Sequence, residues 1–89
     1  MKVVTARSGF KKDFKRMIRR GYDRTLLDDI VGFLRRGELL PESARLHRLS
    51  GEWEGFWECH IQFDWLLVYD VTNTEIILVG TGTHADLFE

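Results

Sequence analysis

Apolar positions in the first forty residues recur every three or four places. Phe10, Phe14, Met17 and Ile18 fall on one face of a helix, with Lys11, Lys12, Lys15, Arg16, Arg19 and Arg20 around the rest. Ser8 is placed to cap its start and Gly21 to end it. A second stripe, Leu26, Leu27, Ile30, Val31 and Leu34, begins behind Asp23 as a cap and closes at Gly37. The link around Gly21 and Tyr22 is short enough to pair the two helices antiparallel. Before them, Val3-Val4-Thr5-Ala6 is β-prone. Past Pro41 the period changes to two. Trp57, Cys59, Ile61 and Phe63 alternate with Phe56, Glu58, His60 and Gln62, so His60 faces away from Cys59 and Ile61. Trp65 to Val71 is a nearly unbroken apolar run, as a central strand requires. Asp64 lies in or beside a tight turn, Asn73 sits in another, and Ile76 to Val79 form the last strand. The pattern predicts an α+β domain in the order β-α-α-β-β-β-β, an antiparallel sheet with a mixed edge packed on an N-terminal helical hairpin.

Composition fits one domain over residues 1–89, and three tryptophans with six phenylalanines supply its core. The single cysteine, Cys59, excludes an internal disulfide and any multi-cysteine zinc motif. There is no signal-peptide core and no membrane-spanning run, so a cytoplasmic protein without a membrane partner is expected. The distribution of charge is more telling than its sum. All thirteen lysines and arginines lie between Lys2 and Arg48, while Leu49 to Glu89 holds eight acids and neither lysine nor arginine. This suggests a polyanion-binding surface on the first half. Two solvated helices that happen to be basic fit equally well.

The chemistry-bearing residues gather in the strand-rich half, from Arg45 onward. His47, His60 and His84 all fall there, and with Asp64 they could converge on one concave surface. Several histidines with one carboxylate suit proton transfer in phosphodiester cleavage; unrelated surface histidines at strand ends are the plainer reading. Zinc could use the same set, but no close ligand spacing such as His-x-x-x-His is present, and no metal or cofactor is expected. Val79-Gly80-Thr81-Gly82-Thr83-His84 resembles a phosphate loop only superficially. It has neither the Gly-Lys-Ser/Thr of a nucleotide triphosphate site nor Gly-x-Gly-x-x-Gly, and its glycines suit a bulge or bend. Trp53, Trp57 and Trp65 could stack on bases, but tryptophans in strands are more often core residues.

Three segments together carry a family resemblance: His47 to Gly55 (HRLSGEWEG), Glu58 to Tyr69 (ECHIQFDWLLVY) and Thr81 to Phe88 (TGTHADLF). The joint pattern covers about half the chain and resembles the YafQ branch of the RelE/ParE toxin superfamily. The resemblance implies a RelE-like microbial ribonuclease toxin fold and the toxin of a type II toxin–antitoxin pair. It implies a ribosome-dependent mRNA endonuclease that cuts in the A site without metal, by attack of a ribose 2′-hydroxyl on the adjacent phosphate. The implied partners are a cognate antitoxin, the ribosome and mRNA, with operator DNA reached only through the antitoxin. Carried over by position, His47, His60, Asp64 and His84 are the functional set, and Trp65 and Phe88 lie nearby. His84 would be the general acid. His60 or Asp64, with His47, would take the 2′-hydroxyl proton, and Phe88 would position the histidine or a base. Arg45, Arg48 and the basic helices would contact RNA phosphates.

One position departs from the family. Where the resemblance calls for arginine just before Thr-Gly-Thr-His, this chain has Gly80. Losing a preorganised donor costs about 10²–10³ in rate, and losing an arginine on a transferring phosphoryl group about 10³–10⁵, so a strongly weakened enzyme is expected. The glycine is a disarming substitution, the mark of a weak natural member, or a loss made good by Arg45 or Arg48; the first is favoured because an active toxin is hard to produce alone. A non-catalytic module that binds antitoxin or ribosome without cutting is the main rival. The gyrase-inhibiting ParE branch is disfavoured by the histidine set.

Overall fold

Both helices form where the apolar spacing places them. The computed structural model describes residues 1–89 as β1 (Val3–Ala6), α1 (Ser8–Arg19), α2 (Arg24–Arg36), β2 (His47–Arg48), β3 (Trp57–Gln62), β4 (Trp65–Val71), β5 (Glu75–Gly82) and α3 (His84–Phe88). Asp23 caps α2 as expected, accepting from the Thr25 amide at 2.9 Å. Gly37 ends it in the left-handed conformation, φ 69°. Ser8 does not cap α1. It is the first helical residue, and the cap position falls on Arg7, which offers no side-chain bond. The reason lies in the sheet: the Arg7 amide still donates to the Leu78 carbonyl, so the chain passes from strand pairing directly into the helix.

The five strands lie in the order β1-β5-β4-β3-β2, with β1 parallel to β5 and every other pairing antiparallel. The mixed edge is therefore β1. The expected central strand is central: β4 is third of five, and Trp65 to Tyr69 are all buried. Phe10 and Met17 of α1 and Leu27, Ile30 and Leu34 of α2 pack with Cys59, Trp65, Leu67, Tyr69, Ile76 and Leu78 in one core. Leu66 and Val68 point to the other face and are equally buried. A 3-10 turn at Gly51–Trp53 and α3 lie on that face, which the alternation alone leaves open.

Two strand ends differ from the sequence reading. β3 stops at Gln62 after a register shift beside His60, so Phe63 leaves the inward-facing set and sits in the turn with Asp64. β5 runs on to Gly82, and His84 opens a helix instead of lying in a turn. The register across β4 and β5 slips between Val68–Gly80 and Tyr69–Leu78, leaving Val79 as the extra residue. The glycine-rich stretch thus holds the expected bulge. Gly82 has a second, steric reason: a Cβ there would stand 2.8 Å from Asp86 Cβ. Gly82→Ala should therefore push α3 off the strand and lower stability by about 1–3 kcal/mol, read as a shifted urea midpoint; an unchanged midpoint would show that α3 is not seated this closely.

Candidate active site

Strand register places the site. His47 pairs with Glu58, Glu58 with Val68, and Val68 with Gly80, which makes one row across four strands. The next row is His60, Leu66 and Gly82. Both rows lie on the face away from α1 and α2. Immediately after β5, His84 begins α3 and returns over this face, its ring centroid 5.7 Å from that of His60.

His84 is fixed at two points. Asp64 Oδ1 accepts from the His84 backbone amide at 2.9 Å and from its Nδ1 at 2.8 Å. A carboxylate against Nδ1 selects the tautomer with the proton there, leaving Nε2 without a protein partner. The same two bonds, the backbone one first, hold the Asp64 carboxyl below its ordinary range. Asp64 occupies the left-handed region, φ 54°, at the tip of the β3–β4 turn, and so its side chain reaches α3.

The His60 side chain makes no hydrogen bond within the chain. Partial burial lowers its pKa from the ordinary 6.5, with smaller contributions from His84, Arg45 and His47, and Glu58 opposes the shift. Its imidazole is accordingly neutral and unengaged near neutral pH. His47 differs: Nδ1 faces the Arg45 carbonyl at 3.0 Å and Nε2 faces Glu58 Oε1 at 3.2 Å. With both nitrogens used inside the protein, His47 has no lone pair turned to a substrate. Glu58, buried to 3% exposure, escapes the sequence reading. The signal was available, because the alternation that turns His60 outward does the same for Glu58.

The other expected residues divide. Phe88 joins the site, edge-on to Trp53 at 6.0 Å and 6.3 Å from the His84 ring. Arg45 also belongs to it, lining a cavity with His60, Phe63, Asp64 and His84. Arg48 does not: its guanidinium lies 4.7 Å over the Trp57 ring, on the opposite side of β2 from His47. Trp65 is a correction too. It is completely buried in the helix-side core, and its Nε1 donates to Thr81 Oγ1 at 2.9 Å, so it cannot touch a substrate. Thr81 passes the bond on to the Leu66 carbonyl at 2.6 Å. Gly80 faces the site, where a Cβ would meet Asp13 Oδ2 at 3.4 Å, Leu87 Cδ2 at 3.7 Å and Trp53 Cη2 at 3.8 Å, all ordinary contacts.

Two shallow cavities meet at the His60–His84 pair. One, about 350 Å³, is lined by His47, Trp53, Glu58 and Phe88; the other, about 430 Å³, by Arg45, Phe63 and Asp64. Cys59 offers no nucleophile, since burial pushes its thiol up to about 12. No three His, Cys, Asp or Glu side chains stand close enough together to hold a metal ion. No helix is long and apolar enough to cross a membrane.

The fold, a five-stranded mixed sheet with two leading helices, matches a set of solved bacterial toxins. A copper-bound mutant toxin from Helicobacter pylori is 38% identical with a TM-score of 0.93, over 99% of this chain and all of that one. YafQ from Escherichia coli BL21(DE3) is 30% identical with a TM-score of 0.92, over the whole of both chains. The mRNA interferase toxin YafQ of E. coli K12 is 35% identical over 80 residues, 89% of this chain and 87% of that protein. The family described as bacterial toxin of type II toxin–antitoxin system, YafQ, matches residues 2–89, and the chain belongs to it.

The Asp64 contact predicts the state of His84. Nitrogen-15 NMR at neutral pH should find the neutral His84 ring protonated on Nδ1, and Asp64→Ala should release it toward the Nε2-protonated form; an Nε2-protonated ring in the unsubstituted protein would contradict the contact.

Proposed function

We propose that the chain is an endoribonuclease toxin that cuts mRNA by metal-independent attack of a ribose 2′-hydroxyl. The observation that carries this reading is the pairing of two histidines in unlike states. His60 is unbonded and kept neutral by burial, and His84, 5.7 Å away, is held through Asp64 with Nε2 free. His60 takes the 2′-hydroxyl proton. O2′ bonds to the adjacent phosphorus, the bond from phosphorus to O5′ breaks, and O5′ takes the Nε2 proton of His84 in its doubly protonated form, whose Nδ1–H stays on Asp64. Among the three candidate bases, His60 is preferred because both nitrogens of His47 and one oxygen of Asp64 are already engaged. Phe88 buttresses His84, and Arg45 supplies positive charge at the phosphate.

Arrest of translation follows if the cut falls in the ribosomal A site. The exposed bases Lys11, Lys12, Lys15 and Arg19 of α1 would engage ribosomal RNA phosphates. The chain would act in the cytoplasm and be neutralised by a cognate antitoxin, through which alone it would reach operator DNA. An E. coli relative, 30% identical with a TM-score of 0.90 over 99% of this chain and 98% of that one, is solved as the DinJ–YafQ toxin–antitoxin complex. Gly80 favours the second reading, a module that binds without cutting.

Three outcomes are expected. Messages should be cut on translating ribosomes at a rate insensitive to chelator; comparable cleavage of naked RNA, or dependence on added metal, would contradict the proposal. Gly80→Arg should raise that rate by about 10²–10³, with folding checked by circular dichroism; a folded Gly80→Arg protein that still cannot cut would favour the binding module. Because burial lowers the His60 pKa, its neutral form, and with it activity, should persist below pH 6.5 and be lost as pH falls through the lowered value. An acid limb above 6.5 would exclude His60 as the base.

A further inference from the structure

We infer that the cavity beside Asp64 is a nucleobase site with Phe63 as its stacking platform. The inference rests on the ribonuclease reading and adds to it the path of the RNA. Phe63 is 93% exposed. One exposed phenylalanine is ordinary by itself, but this one stands at a pinned turn. Gln62 and Trp65 pair on either side of it, and its neighbour Asp64 is tied to His84 by two hydrogen bonds. The ring is therefore presented from a rigid support at the rim of the cavity that Arg45, His60, Asp64 and His84 line.

The placement of the second cavity gives the platform its meaning. His60 and His84 border both cavities, so a phosphodiester positioned between them sends one nucleoside to each side. Trp53 and Phe88 offer aromatic edges and faces on one side; Phe63 is the aromatic group on the other. Stacking on an aromatic ring accepts any base. Arg45, on the Phe63 side, gives that nucleotide's phosphate a cation.

The test is multiple-turnover cleavage on programmed ribosomes by Phe63→Ala, Phe63→Leu and Phe63→Trp. Each is given intact message and messages lacking the base on one or the other side of the scissile phosphate. Phe63→Ala and Phe63→Leu should raise KM about tenfold with kcat little changed, and Phe63→Trp should keep the original KM. Removing one of the two bases should raise the KM of the unsubstituted protein to the same degree and add nothing to that of Phe63→Ala. The inference is overturned if Phe63→Ala or Phe63→Leu keeps the original KM. It is also overturned if neither base removal changes the KM of the unsubstituted protein, or if base removal harms Phe63→Ala as much as the unsubstituted protein. Those results come from a protein that still cuts, so they leave the ribonuclease reading standing; no cleavage by the unsubstituted protein overturns both.

Discussion

The two hydrogen bonds from His84 to one oxygen of Asp64 join the tip of the β3–β4 turn to the first residue of α3, and the site depends on that junction. A five-residue helix does not persist alone in water. It is held by a reciprocal cap between Thr83 and Asp86, by the Arg20 guanidinium on Asp86 at 2.6 and 3.1 Å, and by Asp64. Bonds from Arg20 and from Thr83 hold the Asp86 carboxyl well below the usual carboxylate range, as those from His84 do for Asp64. Both folded pKa values lie below the unfolded ones. The attachment of α3 is therefore complete above the ordinary carboxylate range and weakens as acid carries the solution down through it.

These contacts give the uneven charge of the chain a structural part. The basic first half reaches the acidic second half where α1 meets α3, through Arg20 and Asp86. One acid crosses the other way, Asp13 accepting from the Thr81 amide at 3.2 Å, on the edge of β5 beyond the end of β1. Lys11, Lys12, Lys15 and Arg19 of α1 stay exposed to solvent. Gly80 stands at this junction, beside Asp13, Leu87 and Trp53. A Cβ at this position would meet only ordinary contacts, so packing around the backbone does not itself demand glycine. Arg45 is the cation that lines the cavity with His60 and His84.

Much of this was legible in the sequence, because apolar spacing of three to four and then two specifies which face each element buries. The Phe10, Met17, Leu27, Ile30 and Leu34 stripe, the central position of Trp65 to Val71 and the outward turn of His60 all follow from period alone. What escaped depends on register and on contacts between distant segments. A shift beside His60 ended β3 before Phe63. Strand pairing carried through Arg7 took the cap away from Ser8. The family resemblance put Trp65 near the site, but its place in β4 turns it to the helix side, where it is fully buried. The partnership of His47 with Glu58 needed the β2–β3 pairing to become visible.

The proposed 2′-hydroxyl attack served by His60 and His84 leaves its mark on the product ends. Analysis of the cut message by mass spectrometry tests it most directly. A 2′,3′-cyclic phosphate on the upstream fragment and a 5′-hydroxyl on the downstream one are expected, whereas a 3′-hydroxyl with a 5′-phosphate would mean that water attacked the phosphorus and would contradict the proposal.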